Sequence, residues 1–431
     1  MRNLEGKRLL ISGGPALACD IVEKAKEMGV YTIVTDWYAD SPAKRIADEN
    51  HMVSTADIDA MVVLAKNRNV NGVITSFIDS NLHNVRQICE RLDLPFYATK
   101  DQLDLTMNKA CFKELCRKHG VPVVDEFPLE HDLKQEHLDG ISYPVLLKPA
   151  DNSGSRGIVV CENEEELLSG YDQALSFSQC GTVIVEKFMD TSAPGVNIDY
   201  VVCDGRIHLS AVGDLLLYHG SREKAPLSEA VFYPSVRLEE YVNTVDNAVR
   251  MMFGSIGLRN GVLYIQSFYD EEGFHFYEMG YRLGGGQSYR MISRINGTNH
   301  LEMLIHHSLT GTMCDYETEQ NISPYFDAVA CGLFVLMRPG RIETIRGLDD
   351  IWRIPEVVNI MQSYHEGDCL SDCAEGTTQQ VFARLHFVAK HKADLLDAIQ
   401  RAQSLLRVED DNGENLILGD FVSDMANRID S

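Results

Sequence analysis

Residues 144–158 read Pro-Val-Leu-Leu-Lys-Pro-Ala-Asp-Asn-Ser-Gly-Ser-Arg-Gly-Ile. The apolar start predicts a short strand, Val145 to Leu147, that presents Lys148 and turns at Pro149. A loop of small polar residues follows: Asp151, Asn152, Ser153, Gly154, Ser155, Arg156 and Gly157. A second strand, Ile158 to Cys161, closes a hairpin. A loop without bulky side chains lets backbone N–H groups approach an anion. Lys148 adds a point charge and Arg156 a planar fork of donors. That pattern fits a flap over phosphates. It also fits an ordinary exposed hairpin, because Gly and Ser are common in turns.

Two further stretches separate these readings. Residues 183–189 read Val-Ile-Val-Glu-Lys-Phe-Met, a strand running into Glu186-Lys187. Residues 274–286 read Phe-His-Phe-Tyr-Glu-Met-Gly-Tyr-Arg-Leu-Gly-Gly-Gly, a strand that delivers Glu278 and then Arg282 ahead of a Gly run. In order and spacing the three pieces resemble the ATP-grasp superfamily, most of all its amino-acid ligases, related in fold to biotin carboxylase and carbamoyl-phosphate synthase. The resemblance covers roughly residues 100–310. It implies an α/β protein in three parts: a Rossmann-like domain over 1–98, an ATP-grasp domain over 99–313 with a flap subdomain at about 123–185, and an α+β accessory region over 314–431.

The same resemblance assigns roles. Lys109, Lys148 and the flap residues Ser153, Gly154, Ser155, Arg156 and Gly157 are expected to hold ATP phosphates, with Lys113 as a competitor one turn on. Glu186, Lys187, Phe188 and Met189 are expected to hold adenine. Asn197 stands where many members place a ribose-binding Glu. Glu278 and Gln266 are the expected ligands of magnesium, or of manganese in its place. Arg282 and Lys148 are the catalytic pair expected near the acyl phosphate. Here the sequence departs from the family: Gln266 replaces an acidic ligand and Gly280 an Asn. A hard cation prefers charged oxygens, so the metal site is expected to be weakened.

The chain has 431 residues and a net charge of −25. Such a charge repels nucleic-acid backbones, so no nucleic-acid partner is expected. No apolar run is long enough for a membrane span and no signal peptide is evident. Eleven scattered cysteines point to a reducing, cytoplasmic setting. His365, Cys369 and Cys373 match no common zinc spacing and read as a surface turn.

Along the chain, residues 7–12 and 31–35 predict strands around a Gly13-Gly14-Pro15 turn and a helix from Ala16 to Met28. Asp36 then completes a Rossmann order, but the turn lacks G-x-G-x-x-G, which disfavours a dinucleotide-dependent dehydrogenase. Val73 to Ser76 and Pro95 to Ala98 predict further strands. Asp79 reads as a helix cap, with contact to a substrate amine as the alternative. One helix is expected over 239–253 and another over 298–309, the latter carrying His300, His306 and His307 on its faces. Arg222 and Lys224, in a loop between the ATP motifs, are candidates to meet a substrate carboxylate. Val329 to Met337 predicts a strand and Lys392 to Val408 a helix.

The function implied is an ADP-forming carboxylate–amine ligase working through an acyl phosphate on small-molecule carboxylate and amine substrates, with a homodimer as one assembly open to it. The alternative, motivated by Gln266 and Gly280, is a non-catalytic or regulatory ATP-binding protein of the same fold.

Overall fold

The computed structural model describes residues 4–129, 133–151, 156–189, 194–218, 220 and 226–419. The first strands are β1 (Arg8–Ser12), β2 (Tyr31–Thr35), β3 (Glu49–His51) and β4 (Gly72–Ile74). They form a parallel sheet in the order β3-β2-β1-β4. Successive side chains of a strand point to opposite faces. Leu9 and Ile11 accordingly join one core with Ile21 and Val22, while Leu10 joins a second with Met61 and Val85. A sheet covered on both faces needs such a continuous apolar run. The Rossmann-like order is used internally. The Gly14 N–H donates to Asp36 Oδ2 at 2.7 Å, and a Cβ on Gly14 would lie 2.4 Å from Ser41 Oγ.

The flap is a three-stranded antiparallel sheet: β5 (Val145–Pro149), β6 (Val159–Cys161) and β7 (Val183–Lys187), in the order β6-β5-β7. Helix Glu164–Ser176 covers one face, burying Leu167, Tyr171 and Ala174 against Val145 and Leu147. Asn163 caps it by accepting from the Glu166 N–H, and three glutamates in its first turn suit the helix dipole. Gly157 has φ +78°, and a Cβ there would lie 2.6 Å from the Phe177 Cβ, so glycine is required.

The largest sheet has eight strands. It begins β12-β11-β8-β9-β10-β13, where β8 is Gly195–Cys203, β9 Arg206–Tyr218, β10 Leu227–Tyr233, β11 Gly261–Asp270, β12 Gly273–Gly280 and β13 Val329–Leu336. Strands Val381–Ala389 and Val357–Gln362 complete it. The sheet is therefore continuous across residue 314, with β10 paired to β13. Helix Lys392–Leu405 packs its Leu395, Ile399 and Ala402 onto the C-terminal end. No helix among the described residues is long and apolar enough to cross a membrane.

Several expected elements differ. Residues 95–98 form no strand. Pro95 has no N–H for a ladder, and the Tyr97 hydroxyl instead donates to the Tyr281 carbonyl at 2.8 Å. The helix expected over 16–28 begins as a 3-10 turn, Ala16–Ala18, before Cys19–Glu27. The helix over 239–253 is two, Leu238–Thr244 and Asp246–Ser255, broken at Val245. The Asp246 carboxylate there accepts from the buried Tyr200 hydroxyl at 2.6 Å. The final helix stops at Leu405, and Arg407–Glu409 is a strand paired with Thr344–Arg346.

Candidate active site

Register across the large sheet builds the floor of the site. Asn197 on β8 pairs with Gln266 on β11, and Gln266 pairs with Glu278 on β12. These three residues make one row. Two residues along each strand, on the same face by the two-residue period, lies a second row: Asp199, Tyr264 and Gly280. The row explains the missing Asn. A Cβ on Gly280 would lie 2.2 Å from Tyr264 Cε1, so the tyrosine ring fills the position.

A cavity of about 380 Å³ lies over this floor. Lys109, Lys148, Arg156, Asn197, Gln266, Glu278 and Arg282 all line it. The sequence order thus converges in space. Lys109 opens helix Lys109–Lys118, capped by Asn108, and its N–H donates to the Ala150 carbonyl at 3.0 Å, tying the helix start to the flap. Its Nζ lies 3.8 Å from Glu278 Oε2. Lys113 lies elsewhere: fully buried, it is paired to Glu186 and, at 3.2 Å, to Glu126.

Glu186 is the centre of a buried charge cluster. It accepts from Lys113 and lies 2.5 Å from Lys148 Nζ. Burial would raise its pKa, but the two ammonium groups outweigh burial and lower it. Burial depresses Lys148 to about 8, against the pull of Glu186 and with a contribution from Lys113 and Lys109. Lys148 remains charged at neutral pH and is the ammonium of this pair that faces the cavity.

The expected adenine hinge is arranged differently from its sequence. The Glu186 carboxylate is committed to lysines, and Glu186 is the sole member of residues 186–189 to line the cavity. The Lys187 N–H donates to Asp125 O and the Phe188 N–H to Pro144 O. Met189 is buried and the Lys187 side chain is exposed. Apolar cover on the flap side comes from Leu146 and Ile158. Ser153, Gly154, Ser155, Arg222 and Lys224 lie outside the described residues.

Arg282 is held by a residue from the parallel-sheet region. Its Nε and Nη2 meet the two Asp79 oxygens at 2.6 and 2.5 Å, a bidentate pair. Burial would raise the Asp79 carboxyl; Arg282 overrides that and holds it below the usual range. Asp79 therefore is neither a cap nor a free amine acceptor: it is the first residue of helix Asp79–Leu92 and orients the arginine. The Tyr264 ring centroid lies 5.2 Å from Arg282 Cζ.

Gln266 and Glu278 suit a hard cation in part. Gln266 Oε1 accepts from the Tyr277 hydroxyl at 3.2 Å, and Glu278 is about one quarter exposed. One carboxylate and one amide oxygen need phosphate oxygens to complete a magnesium shell, so the donor set fits an ion that arrives with a nucleotide. Among the described residues no three His, Cys, Asp or Glu side chains converge as a metal site. His300 bonds Ser210 Oγ and His306 the Thr312 carbonyl, as core residues do. The His365 N–H donates to Asp368 in a turn.

Sequence reading missed Asp199, although it follows Asn197 by two on the same strand face. It lines the cavity and accepts from Ser288, Asn197 and Tyr233 at 3.1, 3.2 and 3.3 Å. Burial pushes its pKa up to about 7 despite those bonds. An acid raised above its unfolded value penalises the folded state progressively as pH rises towards the folded pKa. Asp199→Asn is therefore expected to melt higher than the unmodified protein at pH 8, and the gap is expected to close by pH 4. Melting curves across that range check it.

Residues 108–205 match the family model for the ATP-binding domain of the carbamoyl-phosphate synthase L chain. The chain is 28% identical over 202 residues to the 2-oxoglutarate carboxylase small subunit of Hydrogenobacter thermophilus, a match covering 43% of each protein. The chain thus spans less than half the length of that relative. The structure is similar to an L-amino acid ligase from Bacillus licheniformis, with TM-score 0.76 and 18% identity over 95% of this chain and 100% of that one. It is also similar to the biotin carboxylase domain of the Hydrogenobacter enzyme, solved as a dimer with MgADP and bicarbonate: TM-score 0.75, 19% identity, 99% of both chains.

Proposed function

We propose that this chain, which has the ATP-grasp fold, is an ADP-forming carboxylate–amine ligase. The observation that carries the reading is the convergence of Lys109, Lys148, Arg156, Glu278 and Arg282 on one cavity, from three separate segments of the chain. A carboxylate oxygen of the substrate attacks the γ-phosphorus of ATP, and ADP leaves. An amine then attacks the acyl carbon and inorganic phosphate leaves. Lys109, Lys148 and Arg156 neutralise the phosphate oxygens as charge shifts. Arg282, fixed by Asp79, stabilises the carboxylate as it becomes an acyl phosphate. Flap closure keeps water away. Glu278 and Gln266 would hold magnesium, which supplies charge neutralisation at the phosphates; manganese has the same ligand preference. Adenine is placed against Leu146 and Ile158, beside the end of β7, and Asn197 is the ribose contact.

All eleven cysteines are free, which supports a cytoplasmic setting. The dimeric state of the Hydrogenobacter biotin carboxylase domain supports a homodimer.

The experiment is phosphate release from ATP across a panel of amino acids and small carboxylates, with product masses. Lys148→Met is expected to weaken ATP binding roughly tenfold to a hundredfold, the loss of one charged hydrogen bond. Calorimetry measures it. Unchanged affinity in a folded variant removes Lys148 from the site.

One observation favours a second reading, a non-catalytic ATP-binding protein: Gln266 leaves Glu278 as the one carboxylate of its row, and Tyr264 fills the place beside Gly280 in the next. ATP binding with no turnover on any substrate would support it.

A further inference from the structure

We propose that the end of the cavity lined by Arg384 is a carboxylate-recognition subsite, which anchors a free carboxylate of the substrate other than the one that reacts. The inference rests on the ligase reading for what happens next, but not for the binding itself.

Arg384 stands on strand Val381–Ala389, opposite Phe334 of β13, and both residues line the cavity. Its Nε is buried with no hydrogen-bond partner. Its other contacts are weak: Nη1 to Met361 Sδ at 3.6 Å, Nη1 to Ser363 Oγ at 3.5 Å, and the guanidinium over Phe334 at 5.8 Å. Among the described residues no carboxylate pairs with it. The contrast with Arg282, which is bidentate to Asp79 in the same cavity, is sharp. A desolvated guanidinium without an anion is costly. Burial lowers its pKa to about 10, so it stays a cation at neutral pH. A planar fork with a free Nε–H matches a carboxylate in two parallel hydrogen bonds.

A second group points to a ligand at the same end. Gln287 follows Gly286, whose Cβ position would lie 3.1 Å from Phe334 Cζ. Gln287 is fully buried, lines the cavity and sits at φ +55°, a conformation a non-glycine residue adopts only when its surroundings hold it there. Its Nε2 is spent on Asp20, while its Oε1 is buried and unpartnered. The cavity thus offers an anion-binding fork and, at the residue before helix Ser288–Asn296, an acceptor for an N–H or O–H. An α-amino acid satisfies both, through its carboxylate and its ammonium; a dicarboxylic acid satisfies the fork alone.

The test is calorimetric titration of the ADP–magnesium-loaded protein with the standard L-amino acids, succinate and glutarate. Their carboxamides and the N-acetyl amino acids serve as matched controls. At least one carboxylate is expected to bind, its amide to bind at least tenfold more weakly, and Arg384→Met to bind acid and amide alike with ADP affinity unchanged. Loss of binding on N-acetylation assigns an amino acid; binding of succinate or glutarate assigns a dicarboxylate. If Arg384→Met does not fold, Arg384→Lys decides: the charge is kept, the fork is lost, and roughly tenfold weaker binding of the acid is expected. Absence of binding by every acid, or equal binding of acid and amide by the unmodified protein, overturns the subsite. So does equal acid affinity in the variant. Phosphate release from ATP is recorded with the same ligands. Selective carboxylate binding without phosphate release leaves the subsite standing and sinks the ligase reading; phosphate release indifferent to Arg384 does the reverse.

Discussion

Glu278→Gln is expected to lower turnover at least a hundredfold, about 2.7 kcal/mol of transition-state stabilisation, while the fold survives. Glu278 is the one carboxylate in the row Asn197, Gln266, Glu278, so the substitution leaves a hard cation two neutral amides. The side chain is about one quarter exposed and its nearest cation, Lys109, is 3.8 Å away, so little stability depends on it. The reverse change, Gln266→Glu, restores a second carboxylate in register and is expected to tighten magnesium. Turnover, melting temperature and metal titration with and without ATP measure these effects. Magnesium is expected to bind poorly to the nucleotide-free protein, because phosphates must complete its shell. Full turnover in folded Glu278→Gln would remove the metal assignment.

The second large effect is on stability. Glu186→Gln leaves the Lys113 and Lys148 ammonium groups buried without the carboxylate between them. Lys113 retains Glu126, but among the described residues Lys148 is paired to no second carboxylate. Breaking a buried pair from one side costs roughly 3–5 kcal/mol, because an uncompensated charge stays behind. A fall in Tm of roughly 3–6 °C follows for a chain of this size. The loss should shrink as pH rises towards about 8: without Glu186 the folded Lys148 loses its proton at a lower pH, and above the parent's folded pKa of about 8 the lysine is neutral in both folded proteins. Adding Lys148→Met to Glu186→Gln is expected to restore part of the stability. A single variant that melts within about 1 °C of the parent, roughly 1 kcal/mol or less for a chain of this size, would mean the cluster is not a structural one.

The division between legible and illegible residues follows from how each is placed. Lys109, Lys148, Glu278 and Arg282 each sit beside a local punctuation signal, a cap, a strand end or a glycine run, so one window of sequence reveals them. Glu186 is legible as a position but not as a role. Its strand and hinge are local features, whereas its two lysine partners are 73 and 38 residues away, and pairing decides what a buried carboxylate does. The Arg282–Asp79 pair spans 203 residues and two sheets. Gly280 is visible in the sequence as a departure from the family; its cause, the Tyr264 ring, needs the register of β11 against β12. Asp199 carries a signal in its two-residue offset from Asn197. Arg384 carries none, since one cation within the apolar strand Val381–Ala389 has no local feature that marks it as facing a cavity. The continuous sheet across residue 314 is illegible for the same reason: pairing of β10 with β13 joins segments about a hundred residues apart.

The most direct test of the central claim follows oxygen from the substrate into phosphate. The protein is incubated with ATP, magnesium, an amine pool and carboxylates labelled with oxygen-18: the standard amino acids and the dicarboxylates in separate reactions. An acyl phosphate moves one carboxylate oxygen onto the transferred phosphorus, so the released phosphate is expected to carry a single labelled oxygen, with ADP as the nucleotide product. Phosphate released with no label, or AMP with pyrophosphate, would contradict an acyl-phosphate ligase.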